Sequence, residues 1–383
     1  MTRYGTLALI AGAVSLAIGR VFGVIELFVI GAGFLGAFIM ALARVLLRTP
    51  HVSGVRRVRP VTLVAGETGI VDLHLEHHGT IRSTRFDLHE RVRRANVGDR
   101  MADLTVEPIA AGGTATASYH LPTASRGLIE LGPLEAEVAD PLGLLRRIRI
   151  VTGVDQVVVT PRAHSLEMPR LGTGPLGRHL LAQARRLGPG EFHSLREYVD
   201  GDEPRSIHWR ASARGEAILV KQHAVEGLRR MLVVLDTDPA SYANSASFER
   251  GVTVAASLVH SAAQADLVTR FVAGGVDLRG PDVAADALRV LAAIQLGAAH
   301  IPALDRQPGE GVGLLVAIAG SRSSGGVNQA RNVIDPTQAT VVVTTDETPR
   351  GAVNVSARTE GEFLDKWNSL VGRSGRVQAG RTS

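Results

Sequence analysis

The sequence contains no cysteine. Disulfides, thiolate nucleophiles and zinc–thiolate centres are therefore excluded. Aromatic residues make up only 4 %, and no basic run is interleaved with them. That pattern argues against a nucleic-acid surface. Among 42 Lys and Arg residues, only Lys221 and Lys366 are lysine. No G-x-S-x-G element occurs, so the strained serine turn of the α/β hydrolases is missing. His193 and Ser194 are neighbours along the chain, and adjacent residues of one element do not face each other. "GTGPLGRH" (172–179) misses a phosphate loop. Arg178 and His179 stand where Lys and Ser or Thr are required, and Pro175 has no N–H to donate. It reads as a flexible linker into the helix "LGRHLLAQARRLG".

What the sequence does have is length and apolar character. Its 383 residues suffice for two or three modest domains. Hydrophobic residues make up 45 % and charged ones 21 %, with a formal net charge of +5. A positive excess suits a protein lying against an anionic membrane surface.

From Tyr4 to Leu47 the chain is nearly all apolar, with only Arg20 and Glu26 charged before Arg44. That is too long for one span, so two helices are expected, Tyr4–Gly19 and Val24–Ala43, with Arg20 and Glu26 flanking the turn. Arg3 precedes the pair, and Arg44, Arg48, Arg56, Arg57 and Arg59 follow it. By the positive-inside rule both ends face the cytoplasm, as does everything downstream, which implies a two-pass protein of the inner membrane in contact with lipid. A cleaved signal peptide does not fit so long an apolar stretch. "GAGFLG" (31–36) matches a dinucleotide fingerprint. It lies inside the second helix, however, where close helix packing accounts for its glycines.

Residues 61–162 read as about seven short strands separated by Gly and Pro turns, which predicts a small β-sandwich-like domain. His74, His77 and His78 tempt a metal reading. On a strand, His77 points away from the other two, so these are expected to be solvated surface histidines. After Gly227 the pattern alternates strand and helix, from "RMLVVLD" to the helix 360–371 that carries Trp367. That alternation predicts a parallel sheet with ligands at the carboxyl ends of its strands. The 373–383 tail, rich in Arg, Gly and Ser, is expected to be disordered.

Between these parts lies "LREYVDGDEPRSIHWRASAR" (195–214), dense in charges of both signs. Glu197, Asp200, Asp202 and Glu203 accompany Arg196, Arg205, Arg210 and Arg214. Arginine forks bind carboxylates bidentately, so the set suits an ion-paired connector between two domains. Tyr198 and Trp209 add large rings with polar edges, which also suits a partner-docking surface. An acid/base site remains a third reading, though paired carboxylates are common and unspecific.

Three segments carry a family resemblance. "RGLIELGPLEAEVADPLGLLRR" (126–147), "VVVTPR" (157–162) and above all "GEFHSLREYVDGDEPRSIHWRASARGEAILVKQ" (190–222) resemble the signature of the domain-of-unknown-function-58 family of bacterial membrane-tethered proteins. These proteins are often discussed with von Willebrand factor A-like domains. His208 stands where the family often has an acid. The resemblance covers essentially the whole chain. It implies an α+β multidomain chain: a transmembrane hairpin (1–48), a β-rich domain (49–162), a signature segment and connector (163–228), a von Willebrand A-like α/β domain with a parallel sheet (229–372) and a tail (373–383). It also implies a MoxR-type AAA+ ATPase as a protein partner, with roles in envelope assembly or protein maturation. The residues expected to carry docking or shape are Arg196, Glu197, Tyr198, Asp202, Arg205, Trp209 and Arg214. In von Willebrand A domains an Asp-x-Ser-x-Ser motif binds metal at the end of the first strand, a position held here by Asp236-Thr237-Asp238-Pro239-Ala240. Mg²⁺ on Asp236 and Asp238 is the corresponding expectation, and a metal-dependent hydrolase the alternative to a non-enzymatic adaptor.

Overall fold

A computed structural model describes residues 1–94, 98–187, 192–198, 207–213, 217–223, 229–297, 313–321, 325, 327–328, 330, 339–346 and 354–372. The chain divides into two compact units, 1–160 and 161–383.

The first unit opens with α1 (Arg3–Phe22) and α2 (Ile25–Arg48), both long and apolar enough to cross a membrane. Both run past the expected ends. Arg20 and Arg44 lie inside helices, because a charge near an end does not stop a helix as an αL residue does. Gly23, at φ 67°, caps α1 in the left-handed region. The helices meet through glycine: a Cβ at Gly31 would lie 2.7 Å from the Leu16 nitrogen, and one at Gly19 equally close to the Phe28 nitrogen. Gly33 and Gly36 face open space, so only the first glycine of "GAGFLG" serves the helix contact.

The strands β1 (Val52–Arg59), β2 (Leu63–Val64), β3 (Gly69–His77), β4 (Phe86–Arg94), β5 (Gly98–Val106), β6 (Thr114–Leu121), β7 (Gly127–Ala139), β8 (Arg146–Thr152) and β9 (Asp155–Thr160) follow. They form one sheet in the order β1-β3-β6 and a second in the order β2-β9-β7-β4-β5, with β8 beside β7. Burial alternates along β4 and β7, as strands with one wet face require. Leu73 and Leu75 of the first sheet share an apolar cluster with Leu88, Ile129 and Leu131 of the second. Inside the unit, the Arg56 side chain is 2 % exposed and paired to the fully buried Glu90. Tyr119 Oη donates to Glu90 Oε2 at 2.6 Å. Buried charge persists here because every partner is supplied.

The segment Asp140-Pro141-Leu142-Gly143-Leu144-Leu145, which lies in the first of the three segments that carry the family resemblance, joins this unit to its helices. Asp140 accepts from the Leu142 and Leu145 nitrogens at 2.9 and 2.5 Å. Thr2, the N-cap of α1, donates its hydroxyl to the Gly143 and Leu144 carbonyls at 2.6 and 2.8 Å. Leu145 is buried with Ala41 and Val45 of α2. The start of α1 and the end of α2 thus meet the same turn.

In the second unit, α3 (Gly174–Leu187) begins inside the segment expected as a flexible linker. Pro175 suits a first turn, where its missing N–H has no partner in any case. Leu176 and Leu180 of α3 are buried with Phe363 and Trp367 of the last helix. After β10 (Phe192–Glu197), α4 (Trp209–Ser212) and β11 (Leu219–His223) come β12 (Arg230–Leu235), α5 (Ser245–Gln264), β13 (Val268–Ala273), β14 (Val276–Leu278), α6 (Val283–Ala293), β15 (Leu314–Ala319), β16 (Ala339–Thr344), β17 (Asn354–Ser356) and α7 (Glu360–Val371). The sheet order is β14-β13-β12-β15-β16-β17, parallel except for the β13–β14 hairpin. Of its central strands, β15 is buried along its whole length and β12 at every residue after Arg230, as both-face-covered parallel strands must be. Strand order reverses between β12 and β15, which marks the crevice at their carboxyl ends as the place for a ligand.

Candidate functional site

Two places in the second unit hold the residues singled out from sequence. The first is a hairpin. β10 and β11 pair antiparallel, with Arg196 opposite Val220 and Glu197 opposite Leu219. Tyr198 extends the pairing, its nitrogen donating to the Ile218 carbonyl at 2.7 Å. Ile207 bridges Val220, and the His208 nitrogen donates to Leu219 O at 2.7 Å. This ladder sets the short helix α4 against β11. Ser212 Oγ accepts from the Leu219 nitrogen at 2.8 Å and clips the two together.

His208 is the N-cap of α4, its Nδ1 accepting from the Ala211 nitrogen at 3.1 Å. An N-cap needs only an acceptor facing the free N–H groups, a task that a carboxylate performs equally well. The departure from the family pattern at this position therefore preserves the local geometry.

Trp209, the next residue, is 67 % exposed, and Ile218 is 48 % exposed. Glu197 is exposed and Tyr198 half-buried. Asp200, Asp202, Glu203, Arg205 and Arg214 lie outside the described residues, as does any test of the ion-paired connector that rests on them.

The second place is the carboxyl end of the central strands. Asp236 follows β12 and is 3 % exposed. Its Oδ1 accepts from the Asp238 nitrogen at 3.0 Å and its Oδ2 from Ser241 Oγ at 2.7 Å. Tyr242 Oη donates to the Asp236 carbonyl at 2.6 Å. Burial, with Asp236 and Asp346 close by, pushes the Tyr242 phenol well above its ordinary value, so it stays a neutral donor. Asp238 is exposed, and its Oδ1 accepts from the Ala240 nitrogen at 2.9 Å, capping a single 3₁₀ turn at 239–241. The structure therefore joins the two aspartates through a backbone N–H, with the Asp238 carboxylate occupied by its own cap. Ser241 supplies the hydroxyl that positions 238 and 240 lack. Reading only those alternate positions misses it, because the 3₁₀ turn begun at Pro239 brings the fifth residue back onto Asp236.

Asp346, after β16, completes the cluster. Its Oδ2 accepts from the Ala243 nitrogen at 2.8 Å, and Arg250 Nη2 lies 3.6 Å from its Oδ1. Arg250 also donates to the Thr345 carbonyl at 3.1 Å. Gly320, at the end of β15, sits where a Cβ would overlap the Ser241 carbonyl. The hydroxyls of Thr237 and Thr345 are buried with no hydrogen-bond partner among the described residues. Asp236 and these hydroxyls are hard oxygen donors of the kind Mg²⁺ takes. Among the described residues no group of three or more His, Asp or Glu side chains converges to hold a metal.

The family described as "Protein of unknown function DUF58" matches residues 194–281. The match runs from the signature hairpin past β14 and supports the family that the sequence resembles. No curated protein matches the chain. Among solved structures, the chain is similar to the alkylpurine DNA glycosylase AlkC of Pseudomonas fluorescens, with 10 % identity and a TM-score of 0.22 over 35 % of this chain and 38 % of that one. It is similar to the CARDB domain of the PF1109 protein of Pyrococcus furiosus, with 11 % identity and a TM-score of 0.23 over 29 % of this chain and 94 % of that one. A β-glucosidase of Listeria innocua gives 14 % identity and a TM-score of 0.22 over 30 % and 16 %. The chain thus spans well under half of the glycosylase, and none of these likenesses assigns a fold or an activity.

Proposed function

We propose that the chain is a two-pass protein of the inner membrane whose soluble part faces the cytoplasm and docks protein partners without catalysing a reaction. The family resemblance names a MoxR-type AAA+ ATPase as one partner, in envelope assembly or protein maturation. The observation that carries this reading is Trp209. A tryptophan that is 67 % exposed, held on a helix clipped to a hairpin, is an unused anchor. Buried tryptophans dominate binding energy at protein interfaces. The sheet order with its one antiparallel edge supports a von Willebrand A-like reading of the second unit. The apolar cluster shared by two sheets supports a sandwich reading of the first. The arginines flanking α1 and α2 support the orientation.

The test is capture of a purified MoxR-type ATPase by the full chain and by Trp209→Ala. Because Trp209 is exposed, the variant keeps its fold. A drop of about tenfold or more in capture is expected, and equal capture overturns the docking reading. Orientation is tested separately: cysteines placed at Gly23 and Ser374 label from opposite sides of the membrane, and labelling from one side overturns the hairpin.

The orphan hydroxyls of Thr237 and Thr345 favour a second reading, a metal-dependent hydrolase using Asp236 and Asp238. In that case Mg²⁺ or Mn²⁺ raises the melting temperature and Asp236→Ala abolishes the rise. No effect of either ion removes the reading.

A further inference from the structure

The segment Asp140–Leu145 has an unusual tip for a turn. Pro141 and Leu142 are both exposed, Leu142 by 63 %. Turn residues are dominated by Gly, Pro, Asn, Asp and Ser, and a leucine is not among them. The one charged side chain, Asp140, is only 4 % exposed and is turned inward. Its carboxylate holds the Leu142 and Leu145 nitrogens. Its own nitrogen donates to the Leu145 carbonyl at 3.1 Å, and its carbonyl accepts from the Gly143 nitrogen at 3.0 Å. The Gly143 and Leu144 carbonyls accept from the Thr2 hydroxyl. The turn thus satisfies much of its backbone within itself or through Thr2, and presents an apolar side chain outward. Irregular backbone tolerates the depth of a membrane only where its polar groups are satisfied in this way.

A single exposed leucine is ordinary on a protein surface. What lies behind this one is not. Leu145 is buried with Ala41 and Val45, and Phe38 and Leu144 pack against the same cluster. A Cβ at Gly5 would overlap the Leu144 carbonyl. Phe38, Ala41 and Val45 belong to the stretch Ile25–Leu46 and Gly5 to Arg3–Phe22, the two stretches apolar enough to cross a membrane. The turn therefore packs on the flank of these stretches, not beyond their ends. From Phe38 to Val45 it covers about 10 Å of helix length. At the same end of the helix pair Arg3, Tyr4 and Arg44 are exposed, and an exposed Arg146 follows the turn directly. Aromatic and basic residues together mark the headgroup zone of a bilayer, whose anionic lipids attract arginine.

We propose that the Asp140–Leu145 turn is embedded in the bilayer interface, with Pro141 and Leu142 among the upper acyl chains and Arg3, Arg44 and Arg146 at the lipid phosphates. The partner of this surface is the lipid itself, and the β unit is seated in the membrane, not merely tethered to it. The proposal rests on the reading of α1 and α2 as a membrane hairpin.

The chain has no cysteine, so a single introduced one reports a single position. Leu142→Cys, Gly33→Cys and Val61→Cys in the full chain are labelled with bimane and placed in nanodiscs of phosphatidylethanolamine and phosphatidylglycerol. Leu142 and Val61 are exposed and Gly33 faces open space, so the variants keep the fold. Gly33, inside α2, reports whether the helices enter lipid. Val61 is apolar and 97 % exposed but follows β1 at the end away from α2, so it controls for any pull of the label toward lipid. The label at 142 shifts its emission to the blue, loses quenching by aqueous iodide and gains quenching by lipids with a nitroxide high on the acyl chain. The label at 33 is quenched by a nitroxide deep in the chain, and the label at 61 by iodide alone. Iodide quenching at 142 as strong as at 61, with 33 protected, overturns the proposal and leaves the hairpin standing. Iodide quenching at both 33 and 142 overturns both. Protection at 142 without protection at 33 overturns the hairpin and keeps the turn in lipid. Lipid quenching at 61 equal to that at 142 shows that the label seeks the bilayer, and also overturns the proposal.

Discussion

Gly5 of α1 lies against the backbone carbonyl of Leu144, so closely that any Cβ at position 5 would overlap the carbonyl oxygen. Two hydroxyl contacts from Thr2 to the same turn flank that approach. Gly5→Val should therefore loosen the helix from the β unit and cost about 1–3 kcal/mol, the usual penalty of overpacking. Gly33→Ala, where the space is open, is the control and leaves the melting temperature of the detergent-solubilised protein unchanged or slightly higher.

Glu90 is the buried counter-charge of Arg56 and the acceptor of Tyr119. Glu90→Leu leaves a guanidinium buried without its main partner and costs about 3–5 kcal/mol. Tyr119→Phe costs about 1–3 kcal/mol, since a charged acceptor loses one donor. Combining Glu90→Leu with Arg56→Met recovers much of the loss. Amide hydrogen exchange along β1 and β4 measures all three, and a double variant no more protected than the single one contradicts the account.

Gly320 permits the loop after β12 to cross the end of β15. Gly320→Ala drives a methyl into the Ser241 carbonyl and lies 2.6 Å from Asp346 Oδ2. The loop must open, at a cost of about 1–3 kcal/mol. Limited proteolysis should show new cleavage within 236–246. A digestion pattern identical to wild type would show that the loop yields without opening.

Asp277 on β14 accepts from Arg270 Nε and Nη2 at 2.9 and 2.7 Å and from Arg279 at 3.1 Å. Burial raises its pKa, but the two arginines outweigh that and hold the carboxyl below its ordinary value. A depressed folded pKa contributes stability that is complete above the unfolded value, about 3.9, and is lost as pH falls through the folded one. Asp277→Asn should cost about 1 kcal/mol at neutral pH after allowance for solvent screening. Its stability should fall less steeply than wild type below pH ~4. Parallel pH–melting curves for the two proteins would refute this.

The elements that announce themselves in the sequence are those whose ends are chemically marked. α7 begins after Thr359, whose hydroxyl accepts from the Glu362 nitrogen, and ends at Gly372 in the left-handed region. Its expected bounds and its observed ones coincide. The strands β15, all apolar, and β12, apolar after Arg230, are legible for a similar reason, because burial on both faces leaves no room for a polar residue. β14 and β17 are three-residue edge strands, too short to show a period. β1, "VSGVRRVR", is too charged to read as a strand, because Arg56 is buried by a partner 34 residues further along the chain. Strand geometry sets His77 on the face opposite His78 but does not say which face is dry. The burial of His77 depends on Gly79 and Ile81 folding back over the ring.

Because the first turn of α1 and the last turns of α2 both end on Asp140–Leu145, the β unit has no slack in its suspension. Its azimuth about the helix pair is set by residue count. One residue inserted between Val45 and the helix end would turn the strands about 100° relative to α2 and advance them about 1.5 Å. Four inserted residues would bring them nearly back into phase, one turn further out.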